Sequence, residues 1–212
     1  MTLRVAIVDD HTVIRVGFSR MLAEVPGIEV VGSAASGEEA LSLVRDLQPH
    51  VLLMDLSMPG MGGLDASLRL LRQWPQLRIL MLSATEDGPM PARLIQAGVA
   101  GYLTKGAGLD EVVHAIRRVA LGHRYVAAEV AQSIVLQTPE DAAPANPFAE
   151  LSDREMQVVM QLVRERRIKD IAEQLCLSPK TVSTYRARLL EKLGVDNDIA
   201  LLRLAQQHGV TG

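Results

Sequence analysis

Residues 51–60 read VLLMDLSMPG, a short apolar run that ends in an acid and is followed by a loop with proline and glycine. Four further short runs share this character, because they are mostly β-branched or leucine and end near acids, Ser, Pro or Gly: Leu3–Val8, Ile28–Gly32, Arg78–Leu82 and Ala100–Leu103. Runs of this length and composition are typical of strands that are buried on both faces of a parallel sheet.

Segments with apolar residues at helical spacing separate these runs. One of them is opened by Ser36-Gly37-Glu38-Glu39, which predicts a helix with Ser36 as its N-cap and Glu39 completing the capping box. Five strand–helix units in succession predict an α/β fold, a doubly wound sandwich around a five-stranded parallel sheet within residues 1–125.

The pattern changes near Val126. Residues 127–136 predict one more short helix, and residues 138–147 (TPEDAAPANP) carry three prolines, so 126–150 is interpreted as a linker helix and linker. Residues 151–212 predict a small all-α domain, with helices near 168–175, 179–192 and 197–208. A helix before these three shows a capping box from Ser152 to Glu155, and the helix at 179–192 opens with Ser178-Pro179 and ends at Gly194.

Charge and composition exclude several classes of protein. Residues 1–150 hold 12 Lys and Arg against 17 Asp and Glu, whereas residues 151–212 hold 10 against 8, so an acidic half precedes a mildly basic one. The single cysteine, Cys176, cannot form an internal disulfide and no Cys/His cluster has metal-ligand spacing, which fits the cytoplasm. No apolar run is long enough to cross a bilayer, so no membrane partner is expected.

Polar side chains follow four of the five strands. Asp9 and Asp10 follow the first strand, Asp55 the third, Ser83 the fourth and Lys105 the fifth. The carboxyl ends of parallel strands form the ligand-binding edge of such a sheet, so these groups converge there. Three close carboxylates repel one another and favour a hard divalent cation such as Mg²⁺. One carboxylate can then act as a nucleophile towards phosphorus, with the ammonium neutralising the phosphoryl oxygens.

These residues and their neighbours resemble the signature of the receiver-domain family, whose fold is flavodoxin-like. The matching motifs are Ile7-Val8-Asp9-Asp10, Leu53–Gly60, Leu82-Ser83-Ala84 and Gly101–Lys105. The resemblance implies that Asp55 is the phosphoacceptor and that Asp9, Asp10, Asp55 and the Ser57 carbonyl bind Mg²⁺. It also implies that Lys105 pairs with the phosphate, with Ser83 and Tyr102 as a switch pair. Gly106 stands where many relatives have proline, so a cis bond after Lys105 is left open.

The helix at 179–192 indicates DNA binding. It follows the helix at 168–175 after a short turn, and its polar face carries Lys180, Arg186 and Arg188. Residues 151–208 resemble the LuxR/NarL-type helix-turn-helix through Leu151–Glu155, Ile168–Leu175, Ser178–Val182 and Glu191–Val195. By position, the expected DNA contacts are Lys180, Ser183, Thr184, Arg186 and Arg188.

The two resemblances together identify the chain as a member of the NarL/FixJ class of response regulators, similar to the GacA/UvrY type. They imply a transcription factor that is activated by a sensor histidine kinase, of hybrid type by analogy. Promoter DNA is the expected partner, the phosphorylated form is expected to be a homodimer, and RNA polymerase is a candidate partner.

Two other functional hypotheses remain open. One is a hydrolase with an aspartyl-phosphate intermediate, but such enzymes have a second acid two residues after the nucleophile, where this chain has Ser57. The chain is therefore expected not to be an enzyme beyond slow self-dephosphorylation. The other is a DNA binder that is independent of phosphorylation, in which the receiver only dimerises. The sequence does not indicate how the two domains pack.

Overall fold

The third strand of the chain, β3 (Val51–Asp55), is buried along its whole length, as its apolar run predicts. The computed structural model describes residues 2–83, 90–128, 130–131, 147–151, 153–164, 167–175, 177–208 and 210. Parallel strands surround β3 in the order β2-β1-β3-β4-β5-β6. These are β1 (Leu3–Val8), β2 (Ile28–Ala34), β4 (Arg78–Ser83), β5 (Gly101–Thr104) and β6 (Tyr125–Val126).

Five helices accompany the sheet: α1 (Thr12–Ala23), α2 (Gly37–Leu47), α3 (Gly63–Gln73), α4 (Met90–Gln96) and α5 (Leu109–Ala120). The chain first passes from β1 to β2, at one edge of the sheet. It then returns past β1 to β3 and continues through β4 and β5 to β6, at the other edge. Because crossovers between parallel strands are right-handed, α1 lies on one face of the sheet and α2, α3 and α4 on the other. The predicted doubly wound α/β fold is confirmed.

The sheet has a sixth strand that the sequence analysis missed. Strand β6 pairs in parallel with β5, with Gly101 opposite Tyr125 and Tyr102 opposite Val126. Two residues are too few for an apolar run to stand out, which is why only five strands were predicted. Of the helix predicted over residues 127–136, positions 128, 130 and 131 are helical, and the others either precede it or lie outside the described residues.

The C-terminal part is helical, as predicted. A 3-10 turn (Pro147–Glu150) precedes α6 (Asp153–Val163), α7 (Ile168–Gln174), α8 (Pro179–Leu193) and α9 (Asp198–Gln207). The Ser178 hydroxyl caps α8 by accepting the Thr181 N–H at 3.0 Å, and Gly194 ends that helix with φ of 65°. The proposed cap Ser152, the linker residues 138–146 and Cys176 lie outside the described residues.

The helical part contacts the N-terminal α/β part at the carboxyl edge of the sheet. The Gly60 N–H, in the loop after β3, donates to the carbonyl oxygen of Gln174 at 2.6 Å. The Arg93 guanidinium, on α4, donates to the carbonyl oxygens of Phe148 and Leu151, both at 2.7 Å. Helices α6 and α7 therefore lie beside the loop that follows Asp55. Among the described residues, no helix is long and apolar enough to cross a membrane.

Gly63, the first residue of α3, packs directly on the end of β3. A Cβ there would overlap the carbonyl oxygen of Asp55 and lie 3.0 Å from the Cα of Leu56. We therefore expect Gly63→Ala to destabilise the chain by about 1–3 kcal/mol, the usual effect of overpacking. Gly17→Ala is the matched control, because its Cβ would meet nothing within 4 Å on helix α1. That variant is expected to be stabilised by up to about 1 kcal/mol.

Urea unfolding followed by circular dichroism measures both changes. Equal midpoints for the two variants would contradict the close packing of α3 on β3.

Candidate functional site

The predicted strand-end residues meet at one buried cluster. Asp55 is the last residue of β3 and its side chain is 1% exposed, while Asp9 directly follows β1 and is fully buried. The Lys105 ammonium reaches in from the end of β5 and bridges both carboxylates. Its Nζ lies 2.8 Å from Asp9 Oδ2 and 3.0 Å from Asp55 Oδ2. The sheet topology therefore brings together Asp9, Asp55 and Lys105 as the sequence predicts.

Local backbone groups orient the two buried carboxylates. The His11 N–H donates to Asp9 Oδ1 at 2.8 Å, and the Ser57 N–H donates to Asp55 Oδ1 at 3.2 Å. The Arg15 guanidinium donates to the carbonyl oxygens of Asp9 and Asp10 at 2.7 and 3.1 Å. The turn after β1 is thereby held against α1. Arg15 was not singled out from the sequence, because one arginine on a helix carries no distinguishing signal.

His11 is the second residue that the sequence analysis missed, having been given no role. Its Nδ1 lies 2.9 Å from Asp10 Oδ1 and 3.2 Å from Asp9 Oδ1, although the side chain is 64% exposed. It occupies the cap position before α1, which turns the ring back over the two acids. The only signal in the sequence was its position directly after Asp9-Asp10.

Burial and charge shift the ionisation of the cluster. Burial raises the pKa of Asp55, and the Asp9 carboxylate also raises it, whereas the Lys105 ammonium partly opposes the shift. Burial alone would lower the pKa of Lys105, but its contacts with Asp9 and Asp55 outweigh burial and leave that pKa raised. Lys105 therefore stays charged, and ionised Asp55 lacks full compensation from it.

The cluster fits a divalent cation. Asp9, Asp10, His11 and Asp55 each offer one ligand atom, and these atoms lie within 4.8 Å of one another. Three of the four donors are carboxylate oxygens, which hard divalent ions prefer. Ser57, the fourth predicted metal residue, lines the same cavity as Asp10 and Asp55. The donor set therefore matches the acidic metal site that the sequence predicts.

The proposed switch pair lies at the same end of the sheet. Ser83 is the last residue of β4 and is 3% exposed, and Tyr102 on β5 is 1% exposed. Strands β4 and β5 pair with Ser83 opposite Thr104 and Met81 opposite Tyr102. The structure thus places Ser83 one strand away from Asp55 and buries Tyr102 within the neighbouring strand. The peptide bond after Lys105 is trans.

The candidate DNA contacts lie along α8. Lys180, Ser183, Thr184 and Arg188 are exposed, and Lys180, Thr184 and Arg188 line one shallow groove with Tyr185. The hydroxyls of Ser183 and Thr184 donate to helix carbonyl oxygens one turn back, at 2.9 and 3.0 Å. Their oxygens still have acceptor capacity towards the groove.

Arg186 is placed differently from the other four candidates. It is half-buried, and its Nε lies 2.7 Å from Asp198 Oδ1 at the start of α9. For Arg186 to contact DNA, its guanidinium must either leave Asp198 or bind Asp198 and the DNA at the same time. Lys192, also on α8, is held 2.8 Å from the buried carboxylate of Glu155 and supports the packing of α8 on α6.

Comparison with known protein families agrees with the acidic cluster and with the candidate DNA contacts on α8. The response regulator receiver domain family matches residues 5–117, and the bacterial regulatory proteins of the luxR family match residues 149–205. The chain belongs to the LuxR-family response regulators. It is therefore a two-component response regulator and a DNA-binding transcription factor. The sequence-based family assignment is confirmed.

Individual relatives are similar in sequence to almost the whole length of this chain. Response regulator GacA of Pseudomonas protegens is 48% identical over 98% of this chain and 97% of its own length. Response regulator UvrY of Escherichia coli K12 is 44% identical over 98% of this chain and 95% of its own. A solved structure of RcsB from Salmonella enterica serovar Typhimurium, bound to promoter rprA with the phosphomimetic BeF3⁻, superposes with a TM-score of 0.69. That protein is 25% identical and the match covers 97% of this chain and 99% of RcsB.

The donor set leads to a test of metal binding. We expect MgCl₂ to raise the thermal midpoint of the wild-type receiver, because an ion that binds only the folded state stabilises it. Asp10→Asn should lose most of that increase, since it removes one carboxylate from the cluster. Asp46→Asn is the control, because Asp46 is exposed and its ion pair is with Arg45, away from the cluster. An equal increase in all three proteins would mean that the cation binds elsewhere.

Proposed function

We propose that Asp55 accepts a phosphoryl group from a sensor histidine kinase and that the phosphorylated chain binds promoter DNA as a dimer. The observation that carries this proposal is the Lys105 ammonium, which lies 3.0 Å from Asp55 Oδ2 at the edge of a cavity. An ammonium at that place neutralises the oxygens of a phosphoryl group that arrives on Asp55.

The residues divide the chemistry among them. The Asp55 carboxylate attacks phosphorus, and the Ser57 N–H holds the carboxylate in place through its other oxygen. Asp9, Asp10 and Asp55 would hold Mg²⁺, which supplies positive charge to the transferring phosphoryl group. Ser83 would donate its hydroxyl to the attached phosphoryl group, and Tyr102 would adjust its packing in response.

We infer that the chain is a regulator and not a phosphatase. Position 57 offers a serine where aspartyl-phosphate hydrolases have a second acid, so water lacks an activating carboxylate there. Slow self-dephosphorylation is the remaining hydrolytic chemistry. The GacA and UvrY relatives favour a hybrid sensor kinase as donor, and RNA polymerase is a candidate further partner in the cytoplasm.

The interdomain cavity supports a route from phosphorylation to rearrangement. It has a volume of about 650 Å³ and is lined by Asp55 and Lys105 on one side and by Asp170 and Glu173 of α7 on the other. A phosphoryl group adds roughly two negative charges at neutral pH. Asp170 and Glu173 of α7 repel that group and outnumber Arg164, the one cation that lines the described helical side of the cavity, so the added charge would weaken the contact of the DNA-binding domain with the receiver.

The open face of α8 supports dimerisation as the activating step. Lys180, Ser183, Thr184 and Arg188 are exposed while α7 lies against the receiver, so freeing them requires no domain release. Release of the domain would therefore act at a different step, the assembly of two chains on paired half-sites. The RcsB relative was solved bound to promoter DNA in the presence of a phosphomimetic, which supports DNA binding by a phosphorylated form of this chain.

The same open face favours a second candidate function, DNA binding that does not depend on phosphorylation. In that case the receiver would serve only to pair two chains. The two functions differ in whether Asp55 has any effect on DNA affinity.

Acetyl phosphate with Mg²⁺ separates the two candidates. We expect this treatment to tighten wild-type binding to a promoter fragment, measured by gel shift or fluorescence anisotropy, by about tenfold or more. Asp55→Asn should bind like the untreated wild type in both conditions, because it has no nucleophilic carboxylate. If treated and untreated forms of both proteins bind equally well, the phosphorylation-independent function replaces the one proposed.

The salt dependence of DNA binding tests the contacts proposed for α8. Arg188→Ala should lower the slope of log K against log salt by about 1, as expected when one phosphate contact is lost. Arg203→Ala is the control, because Arg203 is exposed on α9 instead. An unchanged slope for Arg188→Ala would exclude Arg188 from the contacts with the DNA backbone.

A further inference from the structure

The contact between the two domains lies in front of the nucleophile and leaves the candidate DNA contacts on α8 exposed. The Asp55 side chain is 1% exposed, and the cavity in front of it is walled by Arg164, Asp170, Glu173 and Gln174. All four residues belong to the end of α6 and to α7 or the stretch between those helices. The contact between the domains therefore restricts access to Asp55.

We propose that α7 and the end of α6 act as a gate that selects phosphodonors by size. We call the chain closed when its two domains are in contact as the structure shows. In the closed chain, small acyl phosphates reach Asp55 through the interdomain cavity. A phosphohistidine that is carried on a kinase domain reaches it only after the DNA-binding domain has moved away. This inference rests on the proposed function of Asp55 as phosphoacceptor and adds which donors can use it.

The dimensions of the cavity support the selection. Its volume of about 650 Å³ lies within the range of roughly 300–1,000 Å³ that is typical of small-molecule sites. A protein donor, by contrast, must cover about 800 Å² of surface around the reacting histidine to form a specific complex. Helices α6 and α7 occupy part of that surface in the closed chain.

Three contacts hold the gate against the receiver. In the first, the Gly60 N–H donates to the Gln174 carbonyl at 2.6 Å, and Gly60 has a φ of 71° that favours glycine. A second contact places Gln157 of α6 beside Gly62 of the receiver loop, and Gln161 of α6 lines the same small cavity as Met58. A third is the pair of hydrogen bonds from Arg93 to the carbonyls of Phe148 and Leu151.

The third contact couples the gate to the core of the DNA-binding domain. Phe148 is fully buried, and its ring packs edge-on against His208 at a centroid distance of 6.0 Å. Because Arg93 binds the carbonyl of a residue anchored in this way, its hydrogen bonds link receiver helix α4 to a residue packed in the DNA-binding domain and not only to the linker end. Loss of the Arg93 hydrogen bonds should therefore increase the fraction of open chains.

The chemical step is the same for both donors. With acetyl phosphate, a bond forms between an Asp55 carboxylate oxygen and phosphorus while the phosphorus–oxygen bond to the acetyl group breaks, and acetate leaves with the electron pair. With phosphohistidine, the phosphorus–nitrogen bond breaks, and the imidazole leaves with the electron pair and takes up one proton. Neither step needs an oxidant or reductant. Because Asp55 is the nucleophile in both, a change that slows or speeds transfer from one donor and not from the other reports access.

A cleavable crosslink tests the gate in the full chain. The variant carries Gly62→Cys and Gln157→Cys in a Cys176→Ser background, so that these are its only two cysteines. A Cβ at Gly62 would lie 3.4 Å from Gln157 Nε2 and in ordinary contact with its other neighbours. A bismaleimide with an internal disulfide links the two thiols and is released by dithiothreitol. Phosphorylation is measured with radiolabelled acetyl phosphate and with the phosphorylated cytoplasmic part of the kinase that transfers to the uncrosslinked chain.

We expect the crosslink to reduce transfer from the kinase at least tenfold and to change the rate with acetyl phosphate by less than threefold. Dithiothreitol should restore the transfer from the kinase. Unchanged rates with both donors, or loss of both, would overturn the size selection. If neither donor labels even the uncrosslinked chain, the failure lies with Asp55 as phosphoacceptor and not with the gate.

A single substitution gives an independent test that needs no crosslink. Arg93→Ala should raise the rate of transfer from the kinase several-fold and leave the rate with acetyl phosphate unchanged. Arg45→Ala is the control, because Arg45 is exposed and its ion pair is with Asp46 on the far helix α2. Equal changes with both donors in Arg93→Ala would contradict gating, because they would indicate an effect on the chemistry at Asp55.

Discussion

The Lys105 ammonium, held between the buried carboxylates of Asp9 and Asp55, is the interaction on which the rest of the structure depends. Two like charges about 4 Å apart repel by roughly 4 kcal/mol at an effective dielectric of 20, so the carboxylates need a cation between them. The raised pKa of Asp55 shows that Lys105 does not fully compensate its burial. The remaining negative charge favours a divalent cation, and that cation would in turn supply positive charge to a phosphoryl group attached to Asp55, which is the chemistry of a receiver.

The parallel arrangement of the strands brings the three charged residues of this interaction together. Strands β1, β3 and β5 end at one edge, and each contributes one charged member of the cluster at or just after its last residue. Because parallel strands point the same way, a chain with an acid after β1, an acid at the end of β3 and a lysine after β5 concentrates their charges in one place. The DNA-binding domain lines the cavity beside that place with Arg164, Asp170 and Glu173, and in the proposed function its position responds to the charge on Asp55.

Most of the fold and the main site residues could be predicted from the sequence, because apolar runs and the residues that follow them are local signals. Strand β6 was missed because its two residues form no run, and His11 was missed because its role depends on how the turn after β1 folds back. The ion pair of Arg186 with Asp198 brings together two helices, and no spacing along the chain predicts it. The docking of α7 on the loop after Asp55 was not predicted for the same reason, since a main-chain contact such as Gly60 to Gln174 leaves no pattern in side chains.

Hydrogen exchange at the contact between the domains tests the central claim that the charge on Asp55 controls it. The amides of residues 58–62 and 168–175 would be followed by mass spectrometry in the wild type and in Asp55→Asn, with and without beryllofluoride and Mg²⁺. The account predicts that beryllofluoride speeds exchange in both segments of the wild type and has no effect on Asp55→Asn. Unchanged protection in the wild type, with beryllofluoride bound, would show that the domain contact does not respond to Asp55.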